Sequence, residues 1–356
     1  MNRLRGAVIG CGRMGAFTTP RVREYAPPFW MPLSHAEAMA AQPEISLVAL
    51  CDSNQDQLAR AQSQHAVAKG YSDYRRLLEE VKPEVLGIAT RTRERPAIIE
   101  QALASGVRAL HLEKPLCNSM AQLSRLEQLL APEPVACTYG TLRRYLPVYQ
   151  RARDLANSGR FGELQQIHAC FGRGALMWTH PHSLDILRFM ASDAAVESVS
   201  ARFAASGFSV EGAALDGDPI VVSALLEFAS GISGLITQGG GLDVALYCSK
   251  GRIAVESDGH RLVCRNSDGQ DTYWRHGEDE GDSLATGGTR LAFDRLVRAL
   301  RGAAPARAAS DKQAIIESQR LLFACIQSHL AGGTAVDPRR LDPDLSITGR
   351  SGELYA

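Results

Sequence analysis

Along the first 140 residues, short and nearly continuous apolar runs alternate with amphipathic stretches. The runs "GAVIGCG", "SLVALCD", "VLGIAT" and "VRALHLEKP" each stop at turn or charged residues. Between them the 3.6-residue spacing predicts helices over 54–66, 73–81, "RPAIIEQALASG" and about 119–130, before a further run, "PVACTYG". Solid apolar strands alternating with helices indicate a parallel sheet buried on both faces. Beyond residue 140 the pattern changes. A helix over about 145–158 ends at Gly159 and is expected to lie across both halves. Runs such as "LQQIHACF", "IVVSALLEFASGISGLITQ", "LDVALYCSKGRIAVES" and "RLVCRN" then show alternation, which predicts a largely antiparallel sheet with one wet face. Helices over about 288–301 and 311–331 close the chain. The expectation is an α/β domain over 1–140 and an α+β domain over 141–356 with a large, open, mostly antiparallel sheet.

The 356 residues suffice for two such cores, with no repeat or flexible linker between them. Lys+Arg and Asp+Glu are equal at 39 each, so no net basic surface argues for nucleic acid or an anionic membrane as partner. No apolar run approaches a membrane span, and the N-terminal run is too short for a signal peptide, so a cytoplasmic protein is expected. The eight cysteines are scattered, with no CxxC pair, and several lie within apolar runs. Buried, reduced thiols are the expected state.

"GCGRMG", Gly10 to Gly15, follows the first strand and fits the dinucleotide-binding G-x-G-x-x-G turn. Gly10 allows the tight turn, Gly12 lets a diphosphate approach the backbone, and Gly15 permits close packing. A carboxylate at the end of the second strand, Asp52, can accept both hydroxyls of an adenosine ribose and would repel a 2′-phosphate, favouring NAD over NADP. The spacing is anomalous: Asp52 comes 37 positions after Gly15, against about 20 in the usual motif. The surplus is "AFTTPRVREYAPPFWMPL", whose four prolines cannot belong to one helix. Residues 16–33 therefore read as an insertion, and "SHAE" as a capping box in which Glu37 reaches back to Ser34. Tyr25, Phe29 and Trp30 make the insertion either a pocket wall or a surface loop packed by its own aromatics.

"HLEKPLCNS" then carries a resemblance. A Glu-Lys-Pro tripeptide closing a Rossmann strand, with "NSGRFGEL", "HSLDILRF", "FASGISGLI", "SKGRIAVE" and a long closing helix, resembles the glucose–fructose oxidoreductase/inositol dehydrogenase (Gfo/Idh/MocA) family over nearly the whole chain. The resemblance implies an NAD(P)-dependent oxidoreductase of sugars, cyclitols or sugar derivatives. It also implies a homodimer or homotetramer formed through the open C-terminal sheet. It implies that Lys114 points at the reacting oxygen, that His182 transfers the proton, and that Pro115 follows a cis bond. Arg13 and Met14 of the loop, Thr90, Glu113 and Lys114 join Gly10, Gly12, Gly15 and Asp52 on the cofactor side.

The chemistry of the residue types agrees. Carbinol oxidation needs a proton acceptor, for which an imidazole is suited, and a cation beside the developing oxyanion. Three departures stand out. Trp178 occupies a position where relatives often carry an aspartate, and is expected to form an apolar wall. "ATRTRER" places Arg91 and Arg95 where relatives have proline and histidine. Arg95 is read as either an anion-binding residue or a helix-start charge. The insertion is the third. His180, one of Arg143 and Arg144, and Tyr145 complete the expected substrate side, with both arginines structural as the alternative, and Asp185 is expected to pack the helix or orient the imidazole. A metal clip by His180 and His182 lacks a third ligand, and no metal is expected. A redox-neutral enzyme that oxidises its sugar transiently, and a non-catalytic NAD or sugar sensor, remain the alternatives.

Overall fold

The computed structural model describes residues 2–131, 135–267, 269, 271–275, 287–303 and 305–348. The first domain is a six-stranded parallel sheet: β1 Leu4–Ile9, β2 Ile45–Cys51, β3 Lys69–Tyr71, β4 Val85–Ile88, β5 Ala109–Leu112 and β6 Ala136–Tyr139. Their spatial order is β3-β2-β1-β4-β5-β6. The order reverses between β1 and β4, which opens a ligand crevice at the carboxyl ends of those strands. The edge strand β3 escapes the pattern because "KGY" has only three residues and no apolar run, so "VLGIAT" forms the fourth strand rather than the third.

The second domain centres on eight strands: β7 Leu164–Cys170, β8 Val196–Phe203, β11 Val221–Phe228, β12 Ser233–Thr237, β13 Asp243–Cys248, β14 Gly251–Glu256, β15 Arg261–Asn266 and β16 Asp271–Arg275. Two short strands, β9 Phe208–Glu211 and β10 Ala214–Gly217, form a side sheet with β17 Ser346–Ile347. The large sheet runs β16-β15-β14-β13-β7-β12-β11-β8, and only β7 and β12 pair in parallel. Alternation along β11 buries Ala224, Leu226 and Phe228 and exposes Leu225. Helices His180–Met190 and Pro305–Leu330 cover the buried face, while the other face is open and carries Leu225 and Tyr247. Among the described residues no helix is long and apolar enough to cross a membrane. None of the eight cysteines is in a disulfide, and seven of them are buried.

Two features tie the domains together. Helix Arg290–Leu300 leaves the second domain and packs on β5 and β6, where Phe293 touches the rings of His35 and His111. The helix expected over 145–158 forms a short 3-10 turn, Leu142–Tyr145, followed by helix Pro147–Asn157. The break at Leu146 lets Pro147 start the helix, where its missing N–H costs nothing.

The insertion interrupts the first helix. A turn at Gly12–Ala16 begins it, the chain departs at Phe17, and it returns as helix His35–Ala41. The His35 and Ala36 amides donate to the carbonyls of Met14 and Gly15, at 2.8 Å each, so the helical bonding is rejoined across the break. Removing the 18 residues 17–34 shortens the step from Gly15 to Asp52 from 37 positions to 19, the ordinary spacing, so the insertion is 17–34 rather than 16–33. Ser34 Oγ accepts the Glu37 amide, but Glu37 does not reach back to the Ser34 amide as the capping box predicts. Thr18 Oγ1 takes that amide, and the Glu37 carboxylate instead receives Thr18 Oγ1, Ser34 Oγ and Arg23.

Candidate active site

The three glycines do three different things. Gly10 has φ +92°, and a Cβ there would lie 2.7 Å from the Ala89 carbonyl. A Cβ on Gly15 would lie 1.6 Å from the Gly10 carbonyl oxygen, so no side chain fits. Gly12 faces open space, with nothing within 4 Å of such a Cβ. A loop closed at its first and third glycines and open at its second suits a diphosphate lying on the backbone. Asp52 Oδ2 accepts the Cys11 amide at 2.7 Å and Oδ1 the Asn54 amide at 2.8 Å. This holds the carboxylate at the strand end with lone pairs to spare for ribose hydroxyls. Thr90 follows β4, and its buried Oγ1 has no partner among the described residues. These residues fit NAD.

At the end of β5 the chain turns through a cis Lys114–Pro115 bond. Gln319 of the long helix fastens this turn, its Oε1 accepting the Leu116 amide and its Nε2 donating to the Cys117 carbonyl. Glu113 faces inward. Its Oε1 lies 3.1 Å from His35 Nε2, and the His35 ring lies 4.5 Å from, and tilted by 57° to, that of His111, whose Nδ1 meets Thr138 Oγ1 at 3.0 Å. Burial alone would raise the Glu113 carboxyl, but the His35 hydrogen bond and nearby charges outweigh it and hold the group at about 2.

Lys114 turns the other way. Its Nζ donates to the Trp178 carbonyl at 2.6 Å and sits 4.1 Å from the centre of the Trp178 indole. The Arg13 guanidinium lies over the same ring at 5.1 Å, so the glycine loop and the second domain meet on Trp178. Burial pushes the Lys114 ammonium down to about 8; Glu113 and Asp218 oppose this, while Arg13 and Arg95 add to it. His182 opens helix His180–Met190 beside this group. Its Nδ1 is buried with no hydrogen-bond partner among the described residues. Burial first, then the charges of Lys114 and Arg143, lower its pKa well below the ordinary histidine value.

The remaining expected residues have other occupations. His180 uses both ring nitrogens, on Ser183 Oγ and the Gly174 carbonyl, so it supports the helix start and no His180–His182 clip is assembled. Arg144 is buried and paired with Asp185 at 2.7 Å and Asp193 at 3.3 Å, which assigns Asp185 to packing rather than to the imidazole. Tyr145 Oη accepts the Tyr139 amide at 2.9 Å. Arg95 is buried and donates to the carbonyls of Pro115 and Thr90, so it braces the two strand ends instead of facing a ligand. Arg91 is exposed.

Asp218 near the site has no signature in the sequence pattern, and Arg143 stands out there only as one of two adjacent arginines. Asp218, between β10 and β11, accepts the amides of Met177 and Trp178 at 2.7 and 3.1 Å, and burial raises its pKa to about 6. Arg143 lies between the Trp30 and Phe171 rings, at 4.9 and 4.5 Å, and pairs with Asp258 at 2.7 Å. Trp30 in turn donates its indole N–H to the Asp258 carbonyl at 3.2 Å, and Phe29 meets His260 edge-on at 5.3 Å. Phe29 and Trp30 thus pack on the second domain rather than on their own loop. The Tyr25 side chain lies outside the described residues.

A Rossmann crevice with an open glycine loop, faced by a lysine and by a histidine whose buried Nδ1 has no partner among the described residues, is the arrangement of a dinucleotide-dependent oxidoreductase. Residues 4–141 match the model of the Gfo/Idh/MocA oxidoreductase family, described as having an NAD-binding Rossmann fold. It is 23% identical over 276 residues to a myo-inositol 2-dehydrogenase of Thermotoga maritima, covering 71% of this chain and 75% of that protein. Its fold is shared with a levoglucosan dehydrogenase solved with NADH and levoglucosan, at TM-score 0.77 and 16% identity, over 95% and 100% of the two chains. It is also shared with an inositol dehydrogenase homologue of Azotobacter vinelandii solved with NADH and myo-inositol, at TM-score 0.74 and 17% identity, over 94% and 98%.

Proposed function

We propose that the protein transfers a hydride between NAD and a hydroxyl or keto carbon of a sugar, cyclitol or anionic sugar derivative. The observation that carries this reading is the placement of His182 within electrostatic reach of Lys114, its buried Nδ1 having no hydrogen-bond partner among the described residues. When bound, NAD supplies the hydride acceptor. Lys114 exchanges its bond to the Trp178 carbonyl for one to the reacting oxygen and stabilises the charge that develops there. His182, kept neutral by burial and by the neighbouring cations, takes the hydroxyl proton on oxidation and returns it on reduction. The Trp178 ring gives the site an apolar wall. Asp52 favours NAD over NADP because its carboxylate would repel a 2′-phosphate.

The cations Lys114 and Arg143 near the imidazole support an anionic substrate. The exposed Leu225 and Tyr247 on the open sheet support self-association into a dimer or tetramer, which light scattering tests. The cysteines, none of them in a disulfide, support a cytoplasmic location. The test of the reaction is a screen of uronic acids, sugars and cyclitols with NAD. Net NADH formation is the expected result; turnover without net NADH would replace this reading with a redox-neutral one, and binding without turnover with a sensor.

A further inference from the structure

Asp218 is fixed with unusual care for a loop residue. The Leu176 amide donates to the Pro219 carbonyl at 2.8 Å and the Val221 amide to the Gly174 carbonyl at 3.0 Å, with a bridge between Ala175 and Ile220. This pairing holds the Asp218 carboxylate beneath the amides of Met177 and Trp178. Trp178 then presents its carbonyl to Lys114 Nζ and its ring to the same ammonium. A single residue therefore links the carboxylate to the lysine. The charges facing Lys114 come from several sides: Glu113 on its own strand end, Arg13 from the glycine loop, Arg95 from the helix after β4, and Asp218, with the neutral imidazole of His182 beside them. Glu113 is already committed to His35 and to the Lys114 amide. Asp218 is the other anion acting on Lys114, and it also holds the Trp178 amide.

We propose that Asp218 is a positioning residue: it holds the Trp178 carbonyl and ring against Lys114 and keeps that lysine charged within the crevice. The inference rests on Lys114 being the group that meets the reacting oxygen. Asp218 loses its charge as pH falls through about 6, and Lys114 loses its own as pH rises through about 8. Between those values both are ionised and the carboxylate supports the ammonium.

The test reads Lys114 directly. The full-length protein is labelled briefly with acetic anhydride across a pH series, and modification at Lys114 is followed by mass spectrometry. The expected wild-type profile has its midpoint near 8 and a smaller inflection near 6. In Asp218→Asn the inflection disappears and the midpoint falls by about one pH unit. The alkaline limb of kcat moves down with it while NADH affinity is unchanged. An unchanged midpoint in Asp218→Asn overturns the proposal. Should that variant fail to fold, a wild-type profile without the inflection near 6 overturns it equally. A shifted midpoint in a protein that turns over no sugar, acid or cyclitol would leave this inference standing and remove the reaction assigned above.

Discussion

The two walls of the crevice are built differently. The cofactor wall is mostly backbone: a glycine at φ +92°, another pressed 1.6 Å from a carbonyl if given a Cβ, and a carboxylate held by two amides. The substrate wall is mostly side chains joined over long stretches of chain, such as Lys114 to Trp178, Arg143 to Asp258 and Trp30 to Asp258. Backbone geometry restricts residue type at single positions, so one wall leaves a spaced signature. Side-chain contacts between distant segments restrict pairs, and a pair has no fixed spacing.

The sharpest way to separate the walls is Lys114→Ala. Turnover is expected to fall by about 10³-fold, the scale of losing an oxyanion donor, with NADH binding retained. Steady-state rates and NADH fluorescence together check this, and surviving turnover would remove Lys114 from the chemistry. Trp30→Ala breaks the strap between the insertion and the second domain. Loss of a buried tryptophan is expected to destabilise the protein by about 3 kcal/mol, read as a lower melting temperature. An unchanged melt would show that the insertion carries no load. Within the cofactor wall, Gly15→Ala and Gly12→Ala should differ in kind. The first clashes with the Gly10 carbonyl and lowers both stability and NAD binding, whereas the second meets no protein atom. Gly12→Ala should therefore melt as wild type while binding NAD about tenfold more weakly, about 1.4 kcal/mol. Equal melts for the two variants would refute the distinction drawn between these glycines. The smallest effect concerns pH. Neutral His182 and charged Lys114 bound the active range, so kcat/KM should fall above about 8 as Lys114 deprotonates. On the acid side His182 itself should impose no loss until well below the ordinary histidine value. A pH–rate profile with its alkaline limb near 10 would contradict the burial of the lysine.

Much of the frame was legible. The solid apolar runs yielded the parallel sheet except for β3, and the alternating runs the second sheet. The glycine loop, Asp52, Lys114 and His182 all stood out by residue type and place, and they follow β1, β2 and β5 or lie at the start of helix His180–Met190. Arg143 and Arg144 show where such reading stops. They are adjacent and chemically identical, and only the phase of a short 3-10 turn sends one to Asp258 and the other to Asp185. Asp218 was invisible for a related reason. It lies 40 residues from Trp178, and nothing in "DGDPI" indicates that a turn elsewhere will lay two amides across it. Arg95 was legible as a charge but not as a brace, because its partners are carbonyl oxygens that every residue possesses.

The rejoined helix has a consequence for how this scaffold can change. Because the amides of His35 and Ala36 close directly onto Met14 and Gly15, the ends of the inserted segment are held side by side whatever lies between them. Closing a loop costs only about 0.6 kcal/mol more for each doubling of its length. The splice is therefore a socket: segments of other lengths could be exchanged there, altering what leans on the substrate wall while the cofactor cradle two residues away keeps its shape.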